Sequence, residues 1–379
     1  VPLKILFCGG GTAGHINPAL AIAAAVLDKH PDAEIEFVAS TQPSDKAREL
    51  VGRAGYKLSC VHIRGMDRPL YSPSNVKTVA CMVISRVEAK RLIKRFSPDI
   101  IIGTGGFACW PVLSRGADLG IPTLLHESNV IPGLAVKRLK NKVDKVLVNF
   151  EETRALLNAE DGERRVIRVG NPFMKGFGEA NGISRREARK SLGLSDSDVY
   201  VLSFGGSRGA STLNSAVIGM CDKLMASAPN AVLHHATGKD NYEEAKTELS
   251  RTESANNSRV KLLDYIYDMP TRMAAADVVI SRAGSMSVSE LALGAKAAIL
   301  VPSPNVTDDH QLKNAKAVED AGGCVCVEEK NFDVLADTVI RLVNSKAERE
   351  RLGRNIREKF STPDSNEKIY SEIMKLIKS

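Results

Sequence analysis

The sequence predicts an α/β protein made of two Rossmann-like halves, each built on a parallel sheet. Three observations carry this. Short continuous apolar runs, such as Ile100-Ile101-Ile102 and Val278-Val279-Ile280, alternate with helical stretches, as strands buried on both faces of a parallel sheet do. A strand feeding a glycine loop occurs twice, as 3–8 into Gly9-Gly10-Gly11 and 199–204 into Gly205-Gly206. The chain's 379 residues exceed one compact core and suit two domains of ordinary size.

In order, strands are expected at 3–8, 34–39, 58–63, 99–103, 121–126, 145–149 and 165–169. They resume at 199–204, 231–236, 259–263, 277–281, 297–301 and 323–327, with helical spacers between. Gly170-Asn171-Pro172 and the glycines at 176, 178 and 182 break the rhythm, so the linker is placed near 171–183. The expected domains are 1–170 plus 364–379, and 171–363. The last helix, after Thr362-Pro363-Asp364, is expected to return to the first domain.

Apolar content of 43% and charged content of 26% argue against global disorder. The seven cysteines, at 8, 60, 81, 109, 221, 324 and 326, form no CxxC and read as free thiols. The start shows no basic n-region or apolar h-region. No apolar run approaches the roughly 18–20 residues of a membrane span. A net charge of +7 and a pI of about 9.0 suit phosphate-bearing partners or an anionic membrane. With 5% aromatic residues and no RNA-binding aromatic motif, no nucleic-acid partner is expected.

The loop GGGTAGHINP, 9–18, opens a helix, where glycines and unpaired N–H groups suit a phosphate. It is not a P-loop, because His15-Ile16 stands where Lys-Ser/Thr is needed. It matches GxGxxG, but the second strand ends Val38-Ala39-Ser40-Thr41 without the acid a dinucleotide ribose requires. A turn that needs glycine only for packing is the plainer alternative. Pro18 is expected in the helix's first turn. His15 just before it would be held neutral by the helix's positive end, as a general base or as a structural histidine.

Seven segments in order resemble the MurG family of GT-B glycosyltransferases, which move N-acetylglucosamine from UDP-GlcNAc onto lipid I. They are GGGTAGHINPALAIA from Gly9, GTGGF from Gly103, HESNVIPG from His126, VGNP from Val169, GGSRGASTLN from Gly205, SRAGSMSVSELALGAKAAILVP from Ser281 and DHQLKNA from Asp309. The chain has TAG where TGG is usual, HESN for HEQN, and Phe173-Met174 where members often carry a basic residue. It also lacks the tryptophan that some members place at the membrane.

The resemblance implies a GT-B fold, two Rossmann-like domains facing across a cleft, and inverting transfer to the 4-hydroxyl of MurNAc to give lipid II for peptidoglycan. It implies donor contacts by Thr12, Ala13, Gly14, Asn129, Ser207, Ser285, Met286, Ser287, Val288 and Ser289. Glu290 would hold the ribose, Ile266 would flank the uracil, and His310 and Gln311 would reach the donor sugar and phosphate. Gly10, Gly11, Gly105 and Gly106 would cradle the acceptor diphosphate, with His15 as base or as the group that orients the acceptor hydroxyl.

No metal or cofactor is expected; Asp196-Ser197-Asp198 reads as a turn. Between 64 and 95, Arg64, Arg68, Lys77, Arg86, Lys90, Arg91, Lys94 and Arg95 interleave with Val76, Val79, Met82, Val83 and Ile84. Such a segment suits peripheral attachment to an anionic membrane, here the cytoplasmic face, or is a solvated helix face. Rival readings are another GT-B lipid glycosyltransferase, a UDP-GlcNAc 2-epimerase-type isomerase and a non-enzymatic nucleotide-sugar scaffold.

Overall fold

The computed structural model describes residues 2–65, 75–157, 165–174, 183–206 and 209–378. The chain divides into two compact units, Val1–Lys175 with Thr362–Ser379, and Gly176–Ser361. The first unit holds a parallel seven-stranded sheet of β1 (Lys4–Cys8), β2 (Glu34–Ser40), β3 (Lys57–Val61), β4 (Ile100–Gly103), β5 (Thr123–Glu127), β6 (Lys145–Val148) and β7 (Val166–Arg168). Its order is β3-β2-β1-β4-β5-β6-β7. The second holds β8 (Val199–Phe204), β9 (Ala231–Ala236), β10 (Val260–Leu263), β11 (Val278–Ser281), β12 (Ala297–Leu300) and β13 (Cys324–Cys326), ordered β10-β9-β8-β11-β12-β13.

On one face of the first sheet lie α1 (Ala13–Lys29), α2 (Ala47–Arg53) and the last helix, Ser365–Lys378. Ile16, Ile22, Ile369 and Ile373 pack there on Ile5, Phe7, Ile100 and Ile102. The other face carries α3 (Asn75–Phe96), α4 (Cys109–Asp118), α5 (Leu134–Leu139) and α6 (Glu151–Leu157). In the second unit follow α7 (Arg185–Ser191), α8 (Ser211–Gly219), α9 (Cys221–Ser227), α10 (Tyr242–Leu249), α11 (Met269–Ala275), α12 (Ser285–Leu293), α13 (His310–Asp320), α14 (Leu335–Asn344) and α15 (Lys346–Phe360). The last helix is therefore α16. Leu213, Leu224, Val339 and Leu352 from α8, α9, α14 and α15 close over Val201, Ile280 and Ile299.

All thirteen expected strands form, and their ends carry the differences. β5 begins at Thr123 because Pro122 has no N–H for the ladder, while its carbonyl still accepts from Ile101. Pro18 corrects an expectation: it lies inside α1, not in its first turn. The helix starts earlier because Thr12 takes extended N-cap dihedrals and its carbonyl accepts from His15 and Ile16. Asp198 closes a turn onto Ser195 N–H at 2.7 Å and pairs with Arg259.

Each sheet has one point where the strand order reverses. β1 lies between β2 and β4, with Cys8 beside Gly103; β8 lies between β9 and β11, with Phe204 beside Ser281. The loops leaving these strand ends are the glycine loops. Ligands of open parallel sheets bind at such reversal points, outside the carboxyl ends of the strands.

Candidate functional site

In the first unit the loops after β1 and β4 interlock. The Thr104 hydroxyl donates to the His15 carbonyl at 2.6 Å, and a Cβ on Gly9 would stand 2.6 Å from that hydroxyl. Gly106, at φ +81°, faces the Gly10 carbonyl, and a Cβ there would collide with its oxygen. Asp45, buried, accepts from the Ser40 N–H and hydroxyl at 3.1 and 2.9 Å and braces Gly10 from the other side.

His15 lies in the first turn of α1. Its Nδ1–H donates to the Gly10 carbonyl at 3.0 Å, which places the neutral ring's lone pair on Nε2. The ring edge faces Gly105, where a Cβ would stand 2.7 Å from Cδ2. Thr12 and Gly14 are exposed and Ala13 half-buried at the start of the same helix. Gly10, Gly11 and Gly106 donate no backbone hydrogen bond among the described residues, whereas the Gly105 N–H donates to Cys109 Sγ at 3.2 Å. Asn129 is oriented by Glu127, whose Oε1 accepts from the Asn129 N–H at 2.9 Å and whose Oε2 accepts from the Gly133 N–H at 2.8 Å. His126 is fully buried and donates from Nε2 to the Gly170 carbonyl; burial pushes its pKa down to about 4.

In the second unit, α12 starts at Ser285 behind Gly284 as N-cap, so its first-turn N–H groups point toward the reversal point of the sheet. Ser285, Met286 and Ser287 form that turn. The side chains of Val288 and Ser289 are buried, and the Val288 N–H already donates to the Gly284 carbonyl at 3.0 Å. Glu290 lines a cavity of about 760 Å³ with Met273, Leu293, Lys296 and Arg349. The cavity walls at Asp277 and Ala297 lie at the amino ends of β11 and β12, away from the reversal point. Burial pushes its carboxyl up to about 7, and among the described residues no hydrogen bond or ion pair engages it. Ile266 is buried between the exposed Tyr265 and Tyr267.

His310 begins α13 behind Asp308 and Asp309, two residues in left-handed conformations at φ +57° and +51°. The Gln311 Oε1 accepts from the Ser303 N–H at 2.9 Å. Ser207 lies outside the described residues, as do Arg68 and the side chains of Val76, Lys77 and Val79.

Sequence reasoning missed the residues that brace these loops. Arg282 donates to Thr212, to Glu329 and to the carbonyls of Val301 and Pro302, tying together the ends of β11, β12 and α8. Asn314 donates to the Ala283 carbonyl at 3.2 Å. His235 joins the Ser203 hydroxyl at 3.0 Å to the Asn214 amide oxygen at 3.1 Å beneath the 205–210 loop. Asn214, Arg282 and Asn314 stood inside quoted motifs, and His235 did not.

Residues 5–148 match the glycosyltransferase family 28 N-terminal domain, and 200–368 match the family's C-terminal domain. A relative from Acetivibrio thermocellus is 37% identical over 379 residues, covering 100% of this chain and 99% of its own. It is named UDP-N-acetylglucosamine--N-acetylmuramyl-(pentapeptide) pyrophosphoryl-undecaprenol N-acetylglucosamine transferase. The crystal structure of Acinetobacter baumannii MurG superposes with a TM-score of 0.78 at 24% identity, over 99% of this chain and 100% of that one. A putative UDP-N-acetylglucosamine 2-epimerase from Listeria monocytogenes shares the fold with a TM-score of 0.65 at 11% identity, over 98% of this chain and 96% of that one. The chain belongs to glycosyltransferase family 28, within the group of N-acetylglucosamine transferases to which the A. thermocellus protein belongs.

Proposed function

We propose that this chain transfers N-acetylglucosamine from UDP-GlcNAc to the 4-hydroxyl of the MurNAc unit of lipid I, with inversion, giving lipid II and UDP. The carrying observation is a glycine loop at the reversal point of each sheet, with His15 held in the first, on a chain that matches such a transferase end to end. His15 Nε2 takes the proton of the acceptor hydroxyl as its oxygen attacks the anomeric carbon. The bond from that carbon to the UDP oxygen breaks. Backbone N–H groups at the start of α12 stabilise the charge gathering on the diphosphate.

Glu290 accepts from the ribose hydroxyls, and its unengaged, partly buried carboxyl supports that role. Ile266 flanks the uracil. His310 and Gln311 serve the donor sugar and phosphate, and Thr12, Ala13, Gly14 and Asn129 are the first unit's share of donor binding. Gly10, Gly11 and Gly106 offer N–H groups to the acceptor diphosphate. The test is incubation of UDP-GlcNAc with and without a short-chain lipid I analogue, with product analysis. Lipid-dependent disaccharide is the expected product; epimerised sugar nucleotide without lipid would overturn the reading.

We further infer that the first unit docks on an anionic membrane, peripherally and at its cytoplasmic face. Val83, Ile84 and Val87 project from α3, Val83 at 64% exposure, beside exposed Lys90, Arg91, Lys94 and Arg95. Leu134 projects from α5, which carries Lys137 and Arg138. No helix of the described residues is long and apolar enough to cross a membrane. Trp110, the chain's single tryptophan, packs on α3 with the Arg86 guanidinium 5.6 Å from its ring. Its fluorescence should respond to phosphatidylglycerol vesicles and not to phosphatidylcholine vesicles. An equal response to both, or none, would overturn the docking.

A further inference from the structure

We propose that Cys109 is a positioning residue for His15, acting through Gly105. The first turn of α4 carries the Cys109 thiol under the loop after β4. Its sulfur accepts the Gly105 N–H at 3.2 Å, and its S–H points to the carbonyls of Gly105 and Cys8, each at 3.0 Å. The thiol is fully buried. One side chain thus engages both backbone polar groups of Gly105 and, through an S–H shared with the Cys8 carbonyl, ties them to the end of β1.

Gly105 in turn meets the His15 ring, and the opposite edge of that ring is held by the Gly10 carbonyl. The ring therefore sits between two backbone segments, and Cys109 sets the distance between them. The Gly105 N–H is consequently spent on sulfur, and its part in the site is to support the imidazole rather than to donate to a phosphate. Serine preserves both hydrogen-bonding senses at this position, with a shorter reach; alanine removes them.

The proposal rests on His15 serving the transfer proposed above, and two readouts separate their failures. The first is titration of the His15 ring by NMR in the full-length protein without substrate, for wild type, Cys109→Ser and Cys109→Ala. The expected result is a displaced His15 titration in Cys109→Ala and a near-wild-type one in Cys109→Ser. The second is transfer to the short-chain lipid I analogue beside calorimetric UDP binding. Cys109→Ala should lower kcat/KM for the acceptor by about 10–100-fold, the range a misplaced catalytic group costs. Its UDP affinity should stay within about twofold, and Cys109→Ser should recover most of the rate. An unaltered His15 titration in Cys109→Ala overturns the positioning role whatever the activity shows. So does equal loss of UDP binding and transfer in both variants, which would mark a residue that holds the fold alone. A displaced titration together with a wild type that transfers nothing would leave Cys109 in place and overturn the function.

Discussion

In the first unit the loops after β1 and β4 brace each other: Thr104 holds the His15 carbonyl, Gly106 abuts Gly10, and Cys109 holds Gly105. In the second unit the loops after β8 and β11 are braced from below, by His235 and Asn214 and by Arg282. There the Glu290 carboxyl is left without a partner among the described residues, and Asp308 and Asp309 hold left-handed backbone beside His310. The first arrangement fixes the His15 ring in one tautomer and one orientation. The second leaves one carboxyl unengaged and carries left-handed backbone at two successive aspartates. Fixed geometry suits the group that moves a proton, while unspent polar capacity suits the groups that bind.

The sharpest way to break this contrast is His15→Ala. A lost general base costs about 10²–10⁴-fold in kcat, and UDP binding should stay nearly intact; near-normal kcat with lipid acceptor would make the imidazole structural. Acid should separate the units next. Burial holds His126, His234 and His235 at about 4, below the unfolded value near 6.5. Between those values the unfolded chain binds more protons, so this stability is complete above about pH 6.5 and is lost as pH falls toward 4. Two of the three lie in the second unit, where the raised Glu290 carboxyl works in the opposite sense, so in a Glu290→Gln background the second unit should lose roughly 2–6 kcal/mol against roughly 1–3 kcal/mol for the first. Hydrogen exchange read by mass spectrometry across pH 4–7 checks this; equal acid sensitivity of both units would refute it.

The loop glycines give a third comparison. Gly106→Ala must adopt φ +81° and strike the Gly10 carbonyl, at a cost of about 2–5 kcal/mol. Gly206→Ala, at φ +93° with nothing within 4 Å among the described residues, should cost only about 1–2 kcal/mol. Equal melting temperatures for the two variants would deny the interlock. The last comparison is at Glu290. Its raised pKa means the folded state holds the proton more tightly, so stability falls as pH rises from about 4.5 to 7. Glu290→Gln should therefore melt higher than wild type at pH 8, with little difference at pH 4. UDP binding should weaken by about 1–3 kcal/mol. A variant that melts no higher and binds UDP as wild type does would remove Glu290 from the site.

Much of this was written locally. Continuous apolar runs marked the strands because both faces of each sheet are covered, and the glycine loops marked the strand ends beside each reversal of order. Pro18 was misplaced because the N-cap is set by the dihedrals of Thr12, which the residue type does not dictate. Asp45, Thr104 and Cys109 were not legible as site residues. Their roles come from contacts with segments 35 to 101 residues away, as in Asp45 with Gly10, Thr104 with His15 and Cys109 with Cys8. Val288 and Ser289 show the converse: a motif names consecutive residues, and helical periodicity then turns some of them inward.

The C-terminal helix has a consequence for synthesis. Ile369, Ile373 and Leu376 of α16 complete the core over Ile5, Phe7 and Ile100, yet residues 176–361 come between. On the ribosome the second unit is whole before the first has received its last helix. The first unit therefore carries an uncovered apolar strip on the α1 side until residues 365–378 have emerged, and its maturation waits on them.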